Sequence, residues 1–289
     1  MKRLHAPLIG ALVFLFCFGG ECSRARVESM NHMNEGVVYA QQKRYINAVE
    51  ELERATAIDG TNDQAYYNLA LVHMEMQSME RAKDDLQRAI TINGEVAGYH
   101  EKLGTVLMEL EQWDEAKTAF EAAIVADENL FKAYYKLAQC HERLDDQQSA
   151  LQQYTLAIEH GPRFLEAYSQ LGRLYADLGF LSEAVTVLQS ALQVAQGGSL
   201  EEAAVHHLLG TVYQQQRNFD GAVNEFRAAL EIEPGNRDAL FSLGWTYSLQ
   251  NEREEARRFL KKFVDVAGQD APPHYLKAAQ DRLGELAEN

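Results

Sequence analysis

The chain has 289 residues, 46% hydrophobic and 24% charged, proportions of a soluble globular protein long enough for one or two conventional domains. A formal net charge of -16 and a pI near 5.0 argue against non-specific attachment to nucleic acid or to an anionic membrane, because both need a basic surface that displaces counterions. Five prolines in a composition rich in Ala, Leu, Glu and Gln favour helices.

The first predicted element is a leader. Lys2 and Arg3 precede the apolar run Leu8 to Phe18 (LIGALVFLFCF), and small and polar residues follow, the layout of a secretory signal peptide over residues 1–25. The run falls short of the roughly 20 apolar residues that span a membrane, so export with cleavage is expected ahead of an uncleaved anchor. Two cleavage routes stay open. Ser23-Arg24-Ala25 puts small residues where signal peptidase reads them and would release a soluble chain at Arg26. Cys22 is instead a candidate for lipidation, because Phe18-Gly19-Gly20-Glu21-Cys22 resembles a bacterial lipobox; Glu21 departs from that pattern, in which a small residue precedes the cysteine. Either route predicts an exported protein, periplasmic or lipid-anchored to a bacterial envelope membrane. Cys140 is the one cysteine beyond the leader, so no disulfide framework can form in the body.

Beyond the leader one amphipathic segment recurs seven times: YINAVEELERAT from Tyr45, MERAKDDLQRAI from Met79, WDEAKTAFEAAI from Trp113, QQSALQQYTLAI from Gln147, LSEAVTVLQSAL from Leu181, FDGAVNEFRAAL from Phe219 and REEARRFLKKFV from Arg253. The first five starts are 34 residues apart, then 38, then 34. A second amphipathic segment precedes each copy, and in both the apolar spacing of i, i+3, i+4, i+7 predicts a helix. The earlier segment carries an aromatic or His (His32, Tyr66, His100, Tyr134, Tyr168, His206, with Leu240 the exception). Four residues on comes a small one (Gly36, Ala70, Gly104, Ala138, Gly172, Gly210, Gly244), and three further on a large one (Tyr39, His73, Leu107, His141, Tyr175, Tyr213, Tyr247). The later segment has alanine in every copy, at Ala48, Ala82, Ala116, Ala150, Ala184, Ala222 and Ala256. Helices approach closely only where no bulky side chain intervenes, so these small residues predict the helix crossing, with Leu52, Leu86, Phe120, Tyr154, Leu188, Phe226 and Leu260 filling the space beyond. Gly60, Gly94, Pro162 and Pro234 predict the stops between units.

This order of aromatic, small residue, tyrosine, alanine, aromatic and alanine over 34 residues strongly resembles the tetratricopeptide repeat family. The resemblance covers residues 29–270 as units 29–62, 63–96, 97–130, 131–164, 165–198, 203–236 and 237–270. Residues 199–202 (SLEE) read as an insertion that, with Gly197-Gly198, lengthens one turn and offsets the last two units. Within 271–289, the stretch Pro273 to Glu288 reads as a capping helix that covers the apolar face of the seventh unit, and Phe263, which replaces alanine there, says the stack ends differently. The implied fold is all-α: a right-handed superhelical solenoid of seven helix-turn-helix units plus the C-terminal cap.

The register also disposes of the catalytic readings. His32, His100 and His206 share one repeat position, and His73 and His141 another, so they replace the tyrosines of neighbouring units. Residues two repeats apart cannot jointly ligate a zinc at about 2.1 Å. Cys140 occupies a position that is Val, Leu or Thr in the other units and reads as a small core residue. No P-loop, G-x-S-x-G or H-E-x-x-H motif occurs. No enzyme activity, metal or cofactor is expected.

Function is then expected from the surface. In the family resembled, the first helix of each unit lines a concave groove that takes a peptide or partner protein. The candidate groove residues are Met33, Val37, Tyr67, Leu71, Lys102, Lys132, Tyr135, Lys136, Arg173, His207, Phe241 and Trp245. Their apolar start gives way to a basic middle at Lys102, Lys132, Lys136 and Arg173 that could take a carboxylate by charge-assisted hydrogen bonds; nearby Glu101, Glu109, Glu142, Glu166 and Asp177 make a self-neutralising face the alternative. Some family members hold chaperone C-termini in a five-residue carboxylate clamp. The matching places here, Met33, Val37, Asn68, Gly98 and Lys102, lack its leading Lys-Asn pair, and the next set, Tyr67, Leu71, Lys102, Lys132 and Lys136, is only partly alike, so chaperone-tail binding is not expected. Size, leader and repeat count resemble the small bacterial envelope lipoproteins that assist assembly of pilus secretins, outer-membrane machinery or the peptidoglycan-synthesis apparatus. The expected function is a protein-binding adaptor of the envelope, with no nucleic-acid partner and membrane contact only through a lipid or an uncleaved leader. The alternatives are a dimer joined through Met30, Met33, Val37 and Tyr67, and an accessory domain of an enzyme. Phe241 and Trp245 carry a choice of their own, between binding anchors and contacts buried under the cap.

Overall fold

The computed structural model describes residues 24–267 and 273–288. Most of the expected leader, Cys22 included, lies outside them. Among the described residues the chain forms fifteen helices and no strand. It divides into two compact units between Asp146 and Gln147, inside the fourth sequence repeat. The first holds α1 (Arg24–Gln41), α2 (Tyr45–Ile58), α3 (Asp63–Glu75), α4 (Met79–Ile92), α5 (Ala97–Glu109), α6 (Trp113–Ala126) and α7 (Phe131–Arg143). The second holds α8 (Gln147–His160), α9 (Leu165–Asp177), α10 (Leu181–Val194), α11 (Leu200–Gln215), α12 (Phe219–Ile232), α13 (Arg237–Leu249), α14 (Arg253–Ala267) and α15 (Pro273–Glu288). Within each unit successive helices pack as antiparallel pairs, α1 on α2 and α11 on α12 for example.

One backbone device makes every turn inside a repeat. The fifteenth residue of each repeat, Lys43, Gln77, Glu111, Asp145, Gly179, Arg217 or Asn251, has a positive φ between 57° and 83°. The next residue's amide then reaches back over the helix end to the carbonyl five residues earlier, as in Ser78 to His73 and Asn218 to Tyr213, at 2.8 Å each. This is a Schellman closure, which satisfies carbonyls the helix would otherwise leave orphaned. Glycine enters that region without strain, yet only Gly179 supplies it here.

The small residues sit where the helices cross, but their contacts are more specific than the sequence implied. The repeated alanines of the second helices, Ala48, Ala82, Ala116, Ala184, Ala222 and Ala256, are fully buried. A Cβ at Gly104 would lie 2.7 Å from the Phe120 ring, one at Gly172 2.7 Å from Leu188, and one at Gly210 2.6 Å from Phe226. The glycine therefore makes room for the large residue of the second helix rather than for its alanine. Phe120, Phe226, Leu52, Leu188 and Leu260, each opposite a glycine, are fully buried.

The ends and the insertion are handled differently from the interior. Leu69, Leu137, Leu171, Leu209 and Leu243 are buried at a position where the first repeat has the exposed Glu35, and Val38 is 47% exposed where Val72 and Val106 are buried. The first repeat thus presents a partly polar face at α1. The insertion goes mostly into helix: α11 has 16 residues against 13 in α9 and α13, and Ser199 caps it by accepting from the Glu202 amide at 3.1 Å. The turn before it grows by one residue, from four, as at 161–164, to five, 195–199. At the other end α15 packs on α13 and α14, burying Ala279 and Leu286 beside Phe263. Its Arg282 guanidinium donates to the Ser248 hydroxyl and, at 3.4 Å, to the Ser248 carbonyl, placing a cation at the C-terminal end of α13.

Candidate functional site

The surface expected to bind is built in the first unit from α1, α3, α5 and α7. Met33 leaves the candidate set: it is 6% exposed and packed with Leu52, Leu69 and Val72 in the core. Val37, Tyr67 and Leu71 stay half-buried. The Tyr67 ring lies 4.9 Å from that of Tyr99, whose hydroxyl donates to Asp63 Oδ2 at 2.9 Å. Burial, reinforced by Glu101, pushes the Tyr67 phenol above its ordinary value; burial and the Asp63 hydrogen bond push Tyr99 higher still. Both rings are neutral; Tyr99 is buried, and the half-buried Tyr67 packed on it offers the apolar, hydrogen-bonding surface.

Charge collects on α7. Lys132, Lys136 and Arg143 oppose Glu142 alone, so the helix carries +2 in a chain of -16. Lys132 and Lys136 lie one turn apart, and among the described residues neither has a carboxylate within 4.0 Å. Tyr135 is half-buried between them in sequence. Lys102, at the same repeat position on α5 as Lys136 on α7, is tied to Glu101 at 3.6 Å. The basic group that the structure brings together is therefore Lys132 and Lys136, with Lys102 partly neutralised on the neighbouring helix. Beneath them Cys140 is fully buried, and burial pushes its thiol up to about 11, against the lowering influence of Lys136 and Lys117. It is a core residue.

The remaining candidates lie in the second unit. Arg173 donates to Gln170 Oε1 and to Asp177 Oδ2, at 2.9 Å each. His207 packs 5.5 Å from the Phe226 ring with Nε2 3.2 Å from the Ser242 hydroxyl, and burial holds its pKa below the ordinary value. Phe241 is a cap contact: its ring lies 4.7 Å from Tyr275 of α15 and 5.3 Å from Phe263. Trp245 stacks on Phe241 at 5.8 Å and stays half-buried.

Four histidines find carboxylate partners within their own repeats. His32 meets Glu51 at 2.6 Å and His206 meets Glu225 at 2.6 Å, the same pairing at the same two repeat positions. His73 reaches Asp85 at 2.7 Å and His141 reaches Asp146 at 3.1 Å. Among the described residues one group, His32, Glu35 and Glu51, brings three possible metal-ligand atoms within 4.8 Å of one another, a juxtaposition the sequence reading did not foresee. Glu51 there already accepts from His32 and from Arg54.

Sequence models described as tetratricopeptide repeat match residues 63–95, 101–163, 163–234 and 213–279, and one described as TPR repeat matches 36–77. No curated protein matches the chain by sequence. Among solved structures it is similar to a C-terminal part of a TPR protein from Cytophaga hutchinsonii, with 15% identity over 85% of this chain and 98% of that one and a TM-score of 0.68. It is also similar to pilF of Pseudomonas aeruginosa, with 15% identity over 79% and 99% and a TM-score of 0.59. A third is YrrB, described as a TPR protein with an unusual peptide-binding site, with 24% identity over 66% and 97% and a TM-score of 0.53.

Proposed function

We propose that this chain, which belongs to the tetratricopeptide repeat family, is a non-enzymatic adaptor that holds a peptide or partner protein against the first helices of its repeats. The fold supports protein-interaction scaffolding, and a peptide is the ligand named for one structural neighbour, YrrB. The observation that carries the reading is α7: Lys132 and Lys136 hold two cations without carboxylate partners on a first helix of an otherwise acidic protein. Val37, Tyr67 and Leu71 supply apolar contact on the preceding first helices. An acidic stretch with apolar residues beside it is the complementary ligand.

The place of action belongs to the same proposal. The layout of residues 1–25 supports export, and the likeness to envelope lipoproteins supports a role in assembling a pilus, secretion or other envelope complex. Cys22→Ala should move the protein from the membrane fraction to the soluble one. A mature N-terminus at Arg26 without acyl mass would reject lipid anchoring and leave soluble release. The binding reading is tested by affinity capture from envelope extracts: Lys132→Glu with Lys136→Glu should lose the captured partner, and unchanged capture would overturn it.

A further inference from the structure

We propose that the exposed face of α14 is a second docking surface, built from residues other than those of α7, that takes an acidic α-helix of a partner protein. Among the described helices only α7 and α14 carry net positive charge. In α14, Arg253, Arg257, Arg258, Lys261 and Lys262 oppose Glu254, Glu255 and Asp265, five cations against three carboxylates. α7 is the first helix of its repeat and α14 the second helix of its own.

The fold presents the α14 cations outward. Ala256, Leu260 and Phe263 are buried against the core shared with α13 and α15, which leaves Arg257, Arg258, Lys261 and Lys262 exposed. Two rows result, 253-257-261 and 258-262, each stepping four residues or about 6 Å along the helix. Carboxylates at i and i+4 of a facing helix repeat at the same pitch.

Local contacts order these cations without neutralising them. Arg258 and Lys262 both lie 5.3 Å from the centroid of Phe259, whose own exposure is 9%. Arg257 and Arg258 reach Glu254 and Glu255 at 3.8 and 3.4 Å, in exposed pairs that screening weakens. Among the described residues Lys261 and Lys262 have no carboxylate within 4.0 Å. A bilayer finds little to grip, since no large apolar side chain is exposed between the cations and Val266 stands alone at the helix end.

The test uses the full chain and a fluorescein-labelled, alanine-based helical peptide with Glu at every fourth residue, read by fluorescence anisotropy. In a Lys132→Glu/Lys136→Glu background, where the α7 surface is removed, the peptide should still bind, and more weakly as salt rises. Adding Lys261→Glu and Lys262→Glu should weaken it by about tenfold or more. Circular dichroism checks the fold, and Lys261→Gln/Lys262→Gln replaces the charge reversal if helix content falls. No binding in the α7-reversed background, or equal binding after the α14 change, overturns the proposal. So does binding through Lys261 and Lys262 to phosphatidylglycerol vesicles without binding of the peptide. Because the α7 surface is absent from this comparison, failure of the first-helix reading and failure of this one are separate results.

Discussion

The Gln112 amide donates to the Leu107 carbonyl at 2.9 Å, and the bond closes α5 because Glu111, just before Gln112, stands at a φ of 57°. A left-handed conformation costs a residue with a Cβ about 1–2 kcal/mol. Glu111→Gly should therefore raise stability by about 1 kcal/mol, and Gly179→Ala should lower it by a similar amount. Urea midpoints check both; shifts of the same sign in the two variants would refute the turn geometry.

Two glycines of α5 should answer alanine oppositely. At Gly98 a Cβ meets nothing within 4 Å, whereas at Gly104 it would lie 2.7 Å from the Phe120 ring. Gly98→Ala should be neutral or gain up to about 1 kcal/mol of helix propensity, while Gly104→Ala should lose about 1–3 kcal/mol by overpacking. Ala116→Leu, at a fully buried position on α6, should lose a similar amount. An unchanged midpoint for Gly104→Ala or Ala116→Leu would contradict the crossing described.

The period and the small residues made the helix pairs legible because close packing imposes residue size at fixed positions. The turn device was hidden, since Lys43, Gln77, Glu111, Asp145, Arg217 and Asn251 share a backbone angle and no side-chain type. Met33 lies on the side of α1 turned away from the repeated stripe and shares its repeat position with the half-buried Tyr67, yet it is buried in one core cluster with Leu69 and Val72 of the next first helix. Residues 200–202 belong to α11 because Ser199 caps it. A net charge of -16 concealed α14, which a charge balance taken helix by helix reveals.

Phe241 and Trp245 separate stability from binding. Phe241 is held between Phe263 and Tyr275, so Phe241→Ala should cost about 3–5 kcal/mol, as large core truncations do. Trp245, half-buried and stacked on one side, should cost less on conversion to alanine. Equal losses in thermal or urea denaturation would place both under the cap.

His207 gives a pH signature. Burial lowers its folded pKa from the ordinary 6.5, with Asp238 opposing, so the unfolded chain takes up a proton at a higher pH than the folded one. Its contribution is whole above that ordinary value and is lost as pH falls through the lower, folded one. Stability should therefore fall from pH 7 to pH 5, and less steeply in His207→Gln. Parallel pH profiles of the urea midpoint would count against a buried, neutral imidazole.

Site-specific photo-crosslinking tests the scaffold reading most directly. A photoreactive residue at Leu71, on the first-helix face, is compared with one at Val125, which is 88% exposed on the second helix α6. The account predicts a partner adduct in envelope extracts from position 71, diminished by Lys132→Glu with Lys136→Glu, and none from position 125. An adduct from position 125 alone, or one from position 71 that ignores the lysine changes, would contradict it.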